Sequence, residues 1–314
     1  MKNTSKKIIT IVSPCFNEEL NILNLYSQLN KSIEDIDNYE FEYLFIDNAS
    51  TDNTIKILKD IASKDKRVKV IINTRNFGHI RSPYWGILQS QGDATIYLAS
   101  DLQDPPSLIP EFIQNWEKGY NVVLGVKPES ETSKTLHFLR TLYYSFLQKI
   151  SDSIVIKNAT GFGLYDKKVL DIVREINEPN PYFRGIISEL GYEVKTIKFL
   201  QNKRLEGKSK NNLYTLFDMA MLGIVNHSIL PLRVASLLGI VFGFFSFLLS
   251  IIFLIMKLLF WDSFQMGIAP ILIGIFFVGG LILIGIGILG EYIASVHTYL
   301  RNRPIVVEKE RINF

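Results

Sequence analysis

Residues 98–106 read LASDLQDPP, after the apolar run ATIYL and before a helical pattern that opens near Leu108. Asp101 and Gln103 stand two positions apart, so on an extended chain leaving a strand their side chains share one side. A carboxylate and an amide oxygen placed in this way can hold a hard divalent cation. The same stretch also makes a polar turn in which Pro105 and Pro106 open the next helix, and taken alone it is consistent with both readings. A second turn, IDNASTDNT, puts Asp47 at the end of an apolar strand and Ser50, Thr51 and Asp52 ahead of a helix. A carboxylate at a strand end can accept hydrogen bonds from the N–H of a base or from a ribose hydroxyl, whereas Asp52 suits the helix cap. A third turn, SPCFNEE, carries Pro14, Asn17 and Glu18.

Turns of this kind act together only if a scaffold aims them at one place. The first two hundred residues alternate strand-like and helix-like segments, the signature of an α/β domain with a mostly parallel sheet. Strands are expected over Ile8–Ser13, Glu42–Ile46, Val68–Ile72, Ala94–Leu98 and Val122–Val126. Helices are expected over Glu19–Ile33, Asp52–Ala62, Ile80–Gln91 and Leu108–Lys118. Ligands of such sheets bind beyond the carboxyl ends of the strands, where all three turns fall.

With 314 residues, 47% of them hydrophobic, the chain has room for one sizeable domain and a smaller unit. A net charge of +3 gives no case for nucleic acid as a partner. The single cysteine, Cys15, excludes an internal disulfide, fits a reducing compartment and reads as a small buried residue beside a strand end. The N-terminal MKNTSKKIITIVSPCF reads as a first strand rather than a leader, because its apolar run is short and Pro14, Asn17 and Glu18 follow it.

The last third differs in kind. Val234 to Met256 and Gln265 to Gly290 contain no charged residue. Each run is long enough, at about 1.5 Å per helical residue, to cross a hydrocarbon core of about 30 Å. Lys203, Arg204, Lys208, Lys210 and Arg233 precede the runs, and Arg301, Arg303 and Lys309 follow them. Positive flanks stay in the cytosol, so the two spans form a hairpin with the first domain and both flanks cytosolic. Trp261 and Phe264 then lie near the far interface. Before the spans, Leu213, Leu216, Phe217, Ala220, Met221, Ile224 and Val225 form one apolar stripe of an interfacial helix, or of a helix packed on the first domain. The expected division is 1–210, 211–230, 231–300 with spans near 234–258 and 266–292, and a tail at 301–314.

In order and spacing, the three turns resemble the nucleotide-sugar-binding domain of inverting family 2 glycosyltransferases with a GT-A fold. RNFGH (75–79), GFGLYDKKV (161–169), YFRG (182–185) and RLEGKSK (204–210), together with the two spans, narrow the resemblance to polyprenyl-phosphate glycosyltransferases, bacterial relatives of dolichyl-phosphate mannose synthase. The resemblance implies inverting transfer of a hexose or N-acetylhexosamine from a nucleotide sugar, a UDP-sugar being expected, to undecaprenyl phosphate at the cytosolic face of a bacterial plasma membrane. It assigns Asp101 and Gln103 to Mg²⁺ or Mn²⁺, and Pro14, Asn17, Glu18 and Asp47 to the nucleotide. Arg204, Ser209 and Lys210 are assigned to phosphate, with Asp101, Arg204 and Lys210 carrying catalysis. The alternative for the basic loop is a solvated stretch held near anionic lipid. Relatives are expected to associate as homo-oligomers, and the glycine-rich second span allows close helix packing.

Three departures stand against the resemblance. The first carboxylate of the usual Asp-x-Asp-x-Gln arrangement is Ala99; Gly161 and Gly163 replace an acidic residue and an arginine; and GVKPESETS keeps only Lys127 as a positive charge. An ionised phosphate acceptor needs no base, so Asp166 reads as the cap of the helix that begins near Lys167. Arg75 and Arg184 are not assigned to catalysis. The departures motivate a rival reading, a non-catalytic membrane scaffold or nucleotide-binding protein on a degenerate transferase domain. A processive polysaccharide synthase fits less well, because the sequence has neither a QxxRW-type helix nor the further spans needed to thread a polymer.

Overall fold

A computed structural model describes residues 6–127, 159–176, 178, 181–200, 230–259, 268–301 and 303–314. The basic loop with Arg204, Ser209 and Lys210, the amphipathic segment 211–230 and the segment holding Trp261 and Phe264 lie outside these residues. By Cα proximity the chain forms two compact units, one of residues 1–222 with 302–314 and one of residues 223–301.

The first unit is built on an eight-stranded mixed sheet. Its strands are β1 (Lys7–Cys15), β2 (Tyr39–Asp47), β3 (Val68–Asn73), β4 (Ala94–Tyr97), β5 (Val122–Val126), β6 (Ala159–Asp166), β7 (Val194–Lys198) and β8 (Glu308–Ile312), in the order β7-β5-β6-β4-β1-β2-β3-β8. β1 pairs in parallel with β2 and with β4, and β2 pairs in parallel with β3. β6 runs antiparallel to β4 and β5, and β8 antiparallel to β3.

Helices cover both faces, which is why β1 buries Ile9 to Ser13 without alternation. On one face α1 (Ile22–Ile33), α2 (Thr54–Lys64) and α4 (Ile109–Glu117) bring Leu25, Leu29, Leu58 and Phe112 onto Ile9, Ile11, Tyr43 and Phe45. On the other, α3 (Gly78–Gln89), α5 (Lys167–Glu175) and α6 (Phe183–Glu189) bring Tyr84, Ile87, Val169, Val173 and Ile187 onto Val12, Leu44, Ile46 and Ile71. The chain order reverses between β1 and its neighbours β2 and β4, and it is beyond the carboxyl ends of the strands at such a switch point that sheets of this kind have their ligand crevice.

Two expectations change. α1 starts at Ile22 rather than Glu19, because Asn17 has φ 56° and the amides of Glu18 and Glu19 donate to Thr54 and Asp52 of the neighbouring turn instead of to a helix. The end of the chain is not a free tail: Glu308–Ile312 completes the sheet as β8, with Lys59 paired to Glu310 at 2.6 Å and Asn313 Nδ2 donating to the carbonyls of Ala62 and Val68.

The second unit contains α7 (Leu230–Leu259) and α8 (Ile268–Leu300). Phe242 of α7 meets Phe277 of α8 edge to face, ring centres 5.9 Å apart. Exposed Ile, Leu and Phe run along both helices, Leu259 and Leu283 each being 70% exposed. By length and composition, the described residues hold one helix able to cross a membrane, Phe277–His297.

Candidate functional site

Two polar turns meet beyond the ends of β1 and β2. The Asn17 amide donates to Ser50 Oγ at 2.9 Å, and Asn17 Oδ1 accepts the Thr51 amide at 2.8 Å. Glu18 donates its amide to Thr54 Oγ1 at 2.8 Å, and its carboxylate accepts from Asn21 Nδ2 at 2.6 Å. Glu19 Oε2 takes both the amide and the side-chain Nδ2 of Asn53, at 2.9 and 2.8 Å. Asp52, expected as the cap of α2, stands one position before the N-cap residue Asn53, and its Oδ1 accepts the amide of Thr54, the first residue of the helix, at 3.0 Å. The turns are therefore interlocked, and Asn17 and Glu18 are engaged in holding them together.

Asp47 lies at their centre and is wholly buried. Its two oxygens accept from the Ser50 amide at 2.9 Å and from Ser50 Oγ at 2.5 Å. Burial pushes the Asp47 carboxyl above its ordinary value, and the Ser50 hydrogen bonds oppose that rise. Cys15 is buried beside it, as its size suggested, and burial together with the charge of Asp47 pushes its thiol up.

At the end of β4 the arrangement is more open. Ser100 Oγ donates to the Pro14 carbonyl at 2.8 Å, which ties this loop to the end of β1. Leu102 is buried in a left-handed conformation at φ 59°, while Asp101 and Gln103 on either side of it stay half-buried. Asp101 Oδ1 accepts the Gln103 amide at 3.2 Å. Asp104 is only 6% exposed, and its Oδ2 lies 3.5 Å from the Ala99 amide. Burial raises the Asp104 carboxyl to about 6, with Lys127 opposing and Asp101 adding to the rise.

Among the described residues no cluster of three or more His, Cys, Asp and Glu side chains forms. Asp101 and Gln103 nevertheless offer oxygen donors only, and both are accessible. Such a set fits a hard cation that keeps water and substrate phosphate in its coordination sphere, and does not fit a closed structural metal site. Ala99 contributes no donor atom from its side chain.

The glycines that depart from the family pattern have local causes. Gly161 has φ 94°, and a Cβ on Gly163 would stand 2.3 Å from the Val123 carbonyl across the strand pair. Asp166 caps α5 by accepting the Lys168 amide at 2.8 Å, and its other oxygen takes Trp116 Nε1 at 2.7 Å. Arg184 donates to the Ala159 carbonyl at 2.7 Å, while the Arg75 guanidinium lies 4.0 Å from the Phe77 ring centre.

Two residues near the turns, Asn48 and Ser100, were not singled out from the sequence, and Asp104 was given no role there. Ser100 and Asp104 stand inside the LASDLQDPP stretch, but a left-handed leucine between them is not foreseeable from residue type. Asn48 follows Asp47 directly and would have required knowing which loop lies opposite it.

Residues 10–173 match the family profile described as Glycosyl transferase family 2. The chain is 34% identical over 300 residues, 95% of its own length and 92% of the relative's, to "Uncharacterized glycosyltransferase YkcC" of Bacillus subtilis (strain 168). It is 33% identical over 303 residues, 96% of its length and 97% of the relative's, to "SfII prophage-derived bactoprenol glucosyl transferase" of Shigella flexneri. To "Putative glycosyltransferase CsbB" of Bacillus subtilis (strain 168) it is 31% identical over 306 residues, 96% and 92% of the two lengths.

Proposed function

The chain belongs to glycosyl transferase family 2, and from that membership we propose that it moves a hexose or N-acetylhexosamine from a UDP-sugar to undecaprenyl phosphate at the cytosolic face of the plasma membrane. The observation that carries this reading is that the similarity to a bactoprenol glucosyl transferase runs through the mixed-sheet unit and the apolar unit alike.

The nucleotide sugar lies over the crevice beyond β1, with Pro14, Asn17, Glu18 and Asp47 lining or shaping the nucleotide end. Asp101 and Gln103 hold Mg²⁺ or Mn²⁺, whose chemistry is to take up negative charge on the diphosphate. Arg204, Ser209 and Lys210 supply further donors to phosphate. An oxygen of the lipid phosphate attacks the anomeric carbon opposite the leaving group. A new carbon–oxygen bond forms as the bond to the nucleoside diphosphate breaks with its electron pair, so the configuration inverts. The acceptor is already ionised near neutral pH, so no base has to take a proton from it. That accords with Gly161 and Gly163 standing where relatives carry charged residues, and with Asp166 being occupied as a cap.

The path of the chain supports a membrane hairpin. β8 follows the apolar unit and yet is hydrogen-bonded into the sheet that contains β1, β2 and β3. A bilayer cannot part a hydrogen-bonded sheet, so any crossings between β7 and β8 are even in number. α7 and α8, of 30 and 33 residues, are long enough for one crossing each.

The test is transfer of radiolabel from a panel of nucleotide sugars to undecaprenyl phosphate by the purified protein in detergent. Label in the organic phase from one donor, abolished by EDTA, is the expected result. UDP binding without metal dependence and without transfer from any donor would favour the scaffold reading instead.

A further inference from the structure

Asn48 is 6% exposed, and its carboxamide is fully engaged. Oδ1 accepts the Phe77 amide at 2.8 Å and Asn73 Nδ2 at 3.3 Å, while Nδ2 donates to Asn76 Oδ1 at 2.9 Å and to the Gly78 carbonyl at 3.1 Å. Its own amide donates to the Cys15 carbonyl at the end of β1, at 2.9 Å. One residue, through its side chain and its own amide, thus joins the ends of three parallel strands. Its immediate neighbours are Asp47, whose carboxylate organises the turn, and Ala49, held at φ 60°.

The loop that Asn48 grips, Thr74 to Gly78, is held from the other side as well. The Thr74 amide and hydroxyl both donate to the Val307 carbonyl, at 3.0 and 3.1 Å, just before β8. Asn76 Oδ1 also accepts the Gly78 amide at 2.7 Å, which starts α3. Hydrogen bonds joined through adjacent residues of the chain therefore lead from the segment before the C-terminal strand through Thr74, Asn73 and Asn76 to Asn48, which directly follows Asp47.

We propose that Asn48 is a positioning residue for the donor nucleotide, clamping the Arg75–Gly78 loop onto the Asp47–Ser50 turn, with the C-terminal strand as the outer brace of the same clamp. The inference rests on the nucleotide assignment above. Asn48 acts before chemistry: it sets the shape that receives the nucleotide and touches no reacting atom. Its loss is therefore expected in donor binding rather than in turnover at saturation.

The polarity of the network makes the test specific. Asn76 uses its side-chain oxygen as an acceptor in both bonds, so Asn76→Asp keeps both. Asn48→Asp replaces the donating Nδ2 by an oxygen facing Asn76 Oδ1 and the Gly78 carbonyl, so it breaks the clamp although it is nearly isosteric. Calorimetry of UDP binding to the full-length protein in detergent, with KM and kcat for the donor, is expected to give about tenfold weaker binding and a correspondingly higher KM for Asn48→Ala and Asn48→Asp. Turnover at saturation stays within about twofold of wild type, the signature of lost ground-state binding. Asn76→Asp is expected to match wild type in both.

Unchanged UDP affinity in Asn48→Ala, or wild-type behaviour of Asn48→Asp, would overturn the proposal. So would a fall in kcat with no change in KM. Should Asn48→Ala fail to fold, Asn48→Asp and Asn76→Ala carry the same comparison. Hydrogen exchange at the Phe77 amide, which donates to Asn48 Oδ1, reads the clamp without nucleotide: protection in wild type and its loss in Asn48→Ala is expected, and equal exchange in the two would overturn the clamp. Absence of UDP binding by the wild-type protein would instead remove the nucleotide assignment, and the exchange result would still stand.

Discussion

The two sides of the crevice are built differently. On the β1–β2–β3 side nearly every polar group near the strand ends is tied to another loop: Asn17 to Ser50 and Thr51, Glu19 to Asn53, and Asn48 to Asn76, Phe77 and Gly78. On the β4 side Asp101 and Gln103 stay half-buried, linked by one bond of 3.2 Å. A side whose donors and acceptors are engaged within the protein is shaped before the ligand arrives. The other side keeps oxygen atoms available for a cation and a diphosphate. On the proposed function, shape and charge neutralisation then fall to separate loops.

The sharpest way to break this comparison is on the open side. Asp101→Ala is expected to lower sugar transfer by about 100-fold or more. Fold and melting temperature should be nearly unchanged, because among the described residues its carboxylate accepts one internal bond, at 3.2 Å. Retained metal-dependent transfer in that variant would contradict the assignment of Asp101.

Next in size is a strand contact beneath the open side. Gly163→Ala sets a methyl group 2.3 Å from a backbone carbonyl, so one strand must shift. A loss of about 3 kcal/mol in stability is expected. Gly161→Ala meets only ordinary contact with the Tyr97 ring, at 3.8 Å, but a left-handed backbone, and about 1 kcal/mol is expected. Thermal melts of the two variants should rank in that order, and the reverse ranking would show that strand spacing does not require Gly163.

The interlocked side responds through Ser50. Ser50→Ala removes the side-chain partner of a buried carboxylate at a cost of about 1–3 kcal/mol. Because burial already raises the Asp47 carboxyl, its favourable contribution is present below the ordinary carboxylate range and is lost as pH rises through the raised value. Without Ser50 Oγ the carboxyl rises further. Denaturant midpoints should therefore show a larger deficit at pH 7 than at pH 4, and a deficit independent of pH would show that Asp47 is not the group involved.

The smallest effect belongs to a control remote from the crevice. Asp65 is half-buried and held by Arg67 at 2.8 Å and by the Tyr26 hydroxyl at 2.7 Å; these bonds outweigh the partial burial and bring its carboxyl down to about 2. Its contribution is present above the ordinary carboxylate range and is lost as pH falls toward 2. With half-exposed Arg67 screening the pair, Asp65→Asn should remove about 1 kcal/mol of that acid-side dependence and leave donor KM unchanged.

How far the sequence could be read follows the same division. Strands β1 to β5 and helices α1 to α4 were legible because they are local and periodic, and the three turns at their carboxyl ends announced themselves by residue type. Asp166 as a cap and Cys15 as a buried residue were equally local. β6, β7 and β8 were not foreseen, since each is placed by pairing with distant strands; β8 meets β3 across more than two hundred residues. The left-handed Asn17 delayed α1 by three residues for a reason that lies in the opposite turn. Asn48 was hidden for the same reason: its side-chain partners, Asn73, Asn76, Phe77 and Gly78, are about 25 to 30 positions away, at the end of β3 and on the loop that follows it.

The most direct test of the central claim is organic-phase label after incubating the purified protein with radiolabelled UDP-sugars and undecaprenyl phosphate, beside an EDTA control and Asp101→Ala. Labelled lipid from one donor, lost in both controls, is the predicted result. UDP bound in the crevice with no labelled lipid from any donor would contradict it, and would mean that the donor side is shaped for a nucleotide but transfers no sugar to the lipid.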